Sequence, residues 1–88
     1  MTGFKKNPDI LYVQQNEEVA LFNSKTGGYF GLDQVGTFIW NKLDTLNNKQ
    51  DIVNAIRQEY EIGEEECSRD FDEFIDELIG KELVFKVE

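Results

Sequence analysis

Gly28-Tyr29-Phe30-Gly31-Leu32-Asp33-Gln34-Val35-Gly36-Thr37-Phe38-Ile39-Trp40 contains the change of period that decides the fold. Tyr29 to Leu32 is short, aromatic-rich and follows the glycine pair Gly27-Gly28, so it reads as a strand entered through a tight hairpin turn. From Asp33 onward Val35, Phe38, Ile39, Leu43 and Leu46 recur at about 3.6-residue spacing, with Asp33 placed to accept hydrogen bonds from the free amides of the first turn. A strand is delivered straight into a helix.

On the N-terminal side, Ile10-Leu11-Tyr12-Val13-Gln14 and Val19-Ala20-Leu21-Phe22 are rich in β-branched and aromatic residues, and the polar turn Gln15-Asn16-Glu17-Glu18 separates them. With Tyr29 to Leu32 they predict a three-stranded antiparallel meander. Residues 1–8, with Lys5-Lys6-Asn7 and the single Pro8, read as a loosely held lead-in. On the C-terminal side, Asn47-Asn48 ends the first helix and can cap a second carrying Ile52, Val53, Ile56 and Tyr60 on one side, which Gly63 interrupts. A third helix opens with Glu64-Glu65-Glu66, acids that suit the positive end of its dipole. Cys67, Phe71, Phe74, Ile75, Leu78 and Ile79 form its apolar stripe, and Gly80 suits its stop. Leu83 to Val87 is a short terminal strand that either pairs or lies across the core. Strands and helices are segregated, which predicts one α+β domain spanning residues 1–88: a three-stranded antiparallel sheet, three helices and a short C-terminal strand.

Composition excludes several classes of function. The 88 residues include one Cys and no His, so an intramolecular disulfide, a common N/S zinc site and Ser/His or Cys/His catalysis are all unavailable. No metal or cofactor is expected. There is no apolar run long enough for a membrane span and no signal-peptide core, which makes the cytoplasm the default compartment. Residues 1–43 carry four Lys and four acids, whereas residues 44–88 carry five basic and fourteen acidic residues, so the whole net charge of −9 lies in the second half. Such a surface repels nucleic acid and anionic lipid and attracts basic segments.

In a meander taken in sequence order, Tyr29 to Leu32 is an edge strand, and it lacks the charge, Pro or bulge that normally blunts an edge. Either a helix or the terminal strand covers it, or it accepts a strand from another chain, with main-chain bonds giving affinity and side-chain pockets giving selectivity. Phe30 shares a face with Leu32 and is expected inward; Tyr29 then faces outward, either onto a peptide or simply over the sheet. Gly31 fits close approach of another backbone or a bulge. Trp40 reads as a core or rim anchor, and Cys67 as a small buried thiol. On the third helix Asp70, Phe74 and Glu77 lie along one border of the apolar stripe, and Asp72 and Asp76 along the other. Which border meets the strand edge is left open by the sequence, and so is whether these carboxylates pair with a basic partner or only keep the domain soluble.

The run Gly28 to Trp40, with Tyr29, Leu32-Asp33, Gly36 and Ile39-Trp40 at these intervals, resembles the marker segment of the PqqD-like family. Ile52, Tyr60 and Asp70-Phe71, Phe74-Ile75 and Leu78 fit its later helices, so that the likeness runs from about Ile10 to Val84. The resemblance implies a winged helix-turn-helix-like peptide-recognition module, a RiPP recognition element. Such a module binds the leader segment of a ribosomally made precursor peptide as an added strand and presents it to a modifying enzyme. That enzyme is a leader protease or a radical enzyme, as in lasso-peptide and related systems. It implies a peptide-binding site at Gly28, Tyr29, Phe30, Gly31, Leu32, Asp70, Phe74, Glu77 and Leu78, and no enzymatic activity.

A winged helix also raises a DNA-binding regulator as the alternative. Its recognition helix would need basic and amide side chains, whereas Asp70, Asp72, Glu73, Asp76 and Glu77 crowd this one against Arg69 and Lys81. A generic acidic interaction adaptor is the remaining alternative. The chain is expected to be a monomer or, given the open edge, a swapped dimer.

Overall fold

The computed structural model describes residues 3–16 and 18–87. Its strands are β1 (Gly3–Lys6), β2 (Ile10–Gln15), β3 (Glu18–Asn23), β4 (Tyr29–Leu32) and β5 (Val84–Val87). Its helices are α1 (Gln34–Lys42), α2 (Lys49–Glu59) and α3 (Glu64–Gly80). The expected meander is β2-β3-β4, antiparallel throughout. Cross-strand register divides its side chains between two faces: Tyr12, Leu21 and Phe30 form one row, and Leu11, Phe22 and Tyr29 form the neighbouring row on the opposite face. Leu21 is fully buried and joins the core with Ile39, Trp40, Ile52, Ile56, Phe71, Ile75 and Leu78. The Leu21 row therefore faces the helices, and the Phe22 row faces solvent.

Two turns set this register. Gln15 pairs with Glu18, and Asn16 takes φ 57° in the tight turn between them. At the β3–β4 turn the buried Asn23 side chain accepts from the amides of Lys25 and Thr26 at 2.9 and 3.1 Å. Of the glycine pair, only Gly27 has positive φ, at 77°.

The N-terminal residues depart from expectation. Residues 3–6 are not a loose lead-in: they form β1 and pair antiparallel with β5, which makes a second, two-stranded sheet. Phe4 packs edge-on against Phe71 at 5.8 Å, and the Lys6 ammonium lies 4.5 Å from the Trp40 ring centroid and 2.8 Å from Asp44. Only one of these two inward residues is apolar, and their partner strand lies at the other end of the chain, so no local period announces the strand. Asn7 locks the ribbon, with its amide donating to Leu83 O at 3.0 Å and its side chain to Glu82 O at 2.8 Å.

The helices follow their caps. Asp33 Oδ1 accepts from the Gly36 amide at 2.7 Å, and Asn48 Oδ1 from Asp51 at 3.0 Å. The first helix was expected to run to Leu46 but ends at Lys42. From there the bonds tighten to i→i+3, Asp44 to Asn41 and Thr45 to Lys42, in a segment whose Asp and Thr are weak helix formers. Gly80 is the last helical residue of α3, but the reversal itself falls on Glu82, at φ 59°. The α2–α3 pair and the adjoining strands give a winged helix-turn-helix-like α+β domain. Among the described residues no helix is long and apolar enough to cross a membrane.

Candidate functional site

β4 is an edge strand on which half of the backbone polar groups are already used. The Asn23 amide donates to Gly28 O at 2.8 Å. Hydrogen-bonded and non-hydrogen-bonded pairs alternate along an antiparallel ladder. The pairs Leu21–Phe30 and Val19–Leu32 therefore spend their groups on each other, and Tyr29 and Gly31 turn their N–H and C=O groups away from β3. Among the described residues no strand pairs with that side, because the terminal strand is taken up by β1.

The helix opposite this edge is α3. Phe30, half-buried on the inner face of β4, meets Phe74 with ring centroids 6.4 Å apart and planes tilted by 56°. Phe74 in turn stands against Gly36 of α1 so closely that a Cβ on Gly36 would lie 3.1 Å from its ring. A cleft of about 420 Å³ opens between the start of α1 and α3, with Phe71 and Phe74 in its wall and Asp33, Asp70, Glu73 and Glu77 at its rim. All four acids are exposed, and among the described residues none of them makes an ion pair. At the other end of the strand a recess of about 190 Å³ is lined by Asn23, Gly28, Phe30, Lys81 and Leu83, with the Lys81 ammonium 5.7 Å from the Phe30 ring centroid. The region beside β4 thus has an apolar middle, an acidic end and the Lys81 ammonium in the recess at the hairpin end.

The residues singled out from the sequence are largely brought together. Gly28, Tyr29, Phe30, Gly31 and Leu32 make the edge, and Asp70, Phe74 and Glu77 occupy the border of α3 that faces the start of α1. Asp72 and Asp76 point to the other side of the helix, toward α2, where Asp72 pairs with Lys49 at 2.9 Å. Leu78 is the exception: it is 0% exposed, so it anchors α3 in the core and has no surface with which to touch a peptide. Tyr29 is 70% exposed on the outer face. Trp40 and Cys67 are buried in the core, and burial pushes the Cys67 thiol above its ordinary value, against the lowering influence of Arg57.

Lys81 and Gly36 are contributions that the sequence reading did not assign to the site. The position of Lys81 just past the end of α3 carries no period that would reveal it. Gly36 did leave a signal, a glycine in the first turn of a helix where a better helix former would be expected.

The model of the family described as coenzyme PQQ synthesis protein D (PqqD) matches residues 18–84 of the chain. Among solved structures, TbiB1 in complex with the TbiA(beta) leader peptide superposes with a TM-score of 0.83 at 36% sequence identity, over 91% of this chain and 93% of that one. A lasso peptide synthetase B1 complexed with the leader peptide gives a TM-score of 0.83 at 22% identity, over 93% of this chain and 96% of that one, a likeness of fold. No curated protein sequence matches the chain.

Proposed function

The chain belongs to the PqqD family, and from that membership we propose that it grips the leader segment of a ribosomally made precursor peptide as an added strand on β4 and presents the rest of the peptide to a modifying enzyme. The observation that carries this reading is the free edge at Tyr29 and Gly31, four main-chain groups beside an apolar groove. Each hydrogen bond made there contributes a net of about 0.5 to 1.5 kcal/mol, part of which the ordering of a flexible peptide offsets. Backbone pairing alone therefore gives weak binding, and side chains seated against Phe30 and Phe74 supply selectivity.

The protein is a carrier with no chemistry of its own. It has no His, and its single thiol is buried. It works in the cytoplasm, where ribosomally made precursors appear, as one peptide-recognition domain spanning the chain. The enzyme it serves is a leader protease or a radical enzyme, and the solved relative at 36% identity, whose ligand is a leader peptide, supports the leader segment as what the chain grips. Binding of DNA through α3 is disfavoured, because eight acids and one Arg lie on that helix.

The test is an NMR titration of labelled protein with the TbiA(beta) leader peptide. Shifts should concentrate at residues 28–33, Asp70, Phe74 and Glu77. Binding that leaves these residues unmoved rejects the groove.

A further inference from the structure

The three-stranded sheet has a second edge, on the side away from β4, and it is the longer one. β2 spans six residues, Ile10–Gln15, and among the described residues it pairs only with β3. On β3, Leu21 and Val19 spend their main-chain groups on β4, so Phe22, Ala20 and Glu18 bond across to Leu11, Val13 and Gln15. Ile10, Tyr12 and Gln14 therefore turn their N–H and C=O groups outward. The Ile10 amide fits this phase, since it donates out of the sheet to Asn7 O at 3.2 Å. The Ile10 carbonyl and both groups of Tyr12 and of Gln14 have no main-chain partner among the described residues. Soluble proteins blunt such an edge with charge, Pro or a bulge. Between Ile10 and Gln15 there is none of these, and Leu11, Tyr12 and Val13 are 53%, 42% and 44% exposed.

The strand is complementary to itself. Antiparallel pairing with β2 of a second copy, about a two-fold axis through Tyr12, sets Tyr12 opposite Tyr12, Ile10 opposite Gln14 and Leu11 opposite Val13. Each Tyr12 amide then reaches the other Tyr12 carbonyl, and each Gln14 amide reaches an Ile10 carbonyl. The outward amide left over is that of Ile10, which Asn7 already satisfies. On the outer face the exposed Leu11 and Val13 close over each other. Moving the axis to Leu11 sets Val13 opposite Asp9, and moving it to Val13 sets Leu11 opposite Gln15, so the Tyr12 axis matches apolar with apolar. Charge permits the approach as well. β2 carries no ionic residue, residues 1–43 are balanced, and the excess of nine acids lies in residues 44–88, with those of α3 beside the opposite edge. We propose that two copies of this chain associate edge to edge through β2, forming one six-stranded sheet with a β4 strand free at each end. The contact is small, below the roughly 1,000 Å² of a permanent interface, so the dimer is transient, with a dissociation constant on the order of 0.1 mM. It uses the edge opposite the leader site and does not depend on leader binding.

Sedimentation equilibrium of the full chain from about 10 µM to about 1 mM, in enough salt to screen the repulsion between like-charged copies, tests it. The native protein should show a reversible monomer–dimer equilibrium. Leu11→Lys and Val13→Glu change exposed positions, so each variant folds, which circular dichroism checks. Each should weaken the dimer about tenfold, because the two-fold axis repeats every lost contact. The double variant should recover most of that loss, since this register sets each introduced lysine opposite an introduced glutamate. The two neighbouring registers set lysine against lysine or glutamate against glutamate. Protein that stays monomeric at the highest concentration overturns the inference. So does a dimer indifferent to the single variants, or a double variant that dimerises less well than either. A dimer that the TbiA(beta) leader peptide dissolves would place the contact on β4, overturning the β2 interface while leaving the leader site in place.

Discussion

Phe30 on the edge strand and Phe74 on α3 meet ring to ring at 6.4 Å, and this half-buried pair joins the two walls of the groove. Phe74→Ala should remove one wall while leaving the core in place. Full burial of a Phe makes its truncation cost about 3 to 5 kcal/mol, so a half-buried one should cost roughly half as much. Urea unfolding measures that loss. Affinity for the TbiA(beta) leader peptide should fall about tenfold, the factor that corresponds to ~1.4 kcal/mol of lost contact. Calorimetry showing an unchanged affinity on the folded variant would remove Phe74 from the site.

The charges beside the groove are arranged by end, with Asp33, Asp70, Glu73 and Glu77 together and Lys81 in the recess at the hairpin end. Among the described residues none of these acids has an ion-pair partner, so their field is available to an incoming basic segment. Asp70→Asn with Glu77→Gln should slow association and flatten its salt dependence, at a cost of about 0.2 to 1 kcal/mol per exposed charge. Stopped-flow association measured at low and high ionic strength decides this. Equal salt slopes for the native protein and the double variant would mean that these carboxylates only keep the surface hydrated.

Glu82 terminates α3 in the left-handed region at φ 59°, with its amide donating to Ile79 O at 3.0 Å and the Leu83 amide to Leu78 O at 2.9 Å. This double closure usually places glycine at the left-handed residue. Glu82→Gly relieves backbone strain and keeps the carbonyl that receives Asn7. The strain relieved exceeds the added freedom of the unfolded chain by roughly 0.5 to 1 kcal/mol, so the thermal midpoint should rise by a few degrees. A lower midpoint would show that the Glu82 side chain stabilises the fold in a way its hydrogen bonds do not reveal.

β1 ties the N-terminus to the core through Phe4, which contacts Phe71 at 5.8 Å. Phe4→Ala should destabilise the protein by about 1.5 to 3 kcal/mol and increase amide exchange in β5, the strand that β1 covers. If residues 3–6 were dispensable, neither observable would change.

The parts of the fold that were legible in the sequence are those written in local period and caps. Asp33 and Asn48 mark their helices, the stripe from Cys67 to Ile79 defines α3, and the alternation of Tyr29 with Phe30 assigns each its face correctly. β1 was not legible because its inward residues are Phe4 and Lys6, and a lysine stem lying on Trp40 looks polar in a sequence. The arrangement of the candidate site residues was readable to the level of strand and helix border. Leu78 sits on the apolar stripe like Phe74, and only packing separates a residue at its centre, with no surface left, from one at its margin. Lys81 was invisible for the opposite reason, since it belongs to no stripe and reaches the Phe30 ring only because α3 ends where it does.

Cys67 provides a pH-dependent check on the core around α3. Burial raises its thiol above the ordinary value of 9.0, the nearby carboxylates of Asp70 and Glu66 add to the rise, and Arg57 opposes it. The folded state therefore prefers the protonated thiol more strongly than the unfolded chain does. Below the unfolded value both states hold the proton and the contribution to stability is complete. As pH climbs past that value the unfolded chain ionises first, and stability drains away until the folded value is passed. Tyrosine and lysine ionisation also acts in this range, so the quantity to follow is the difference in unfolding free energy between the native protein and Cys67→Ala. That difference should shift against the native protein above about pH 8.5, by no more than ~1.4 kcal/mol per pH unit. A thiol reagent should label the folded protein slowly near neutral pH and rapidly in denaturant. Fast labelling of the folded protein would place the thiol at an accessible surface and contradict the packing of α3 against Val53, whose carbonyl lies 3.9 Å from the sulfur.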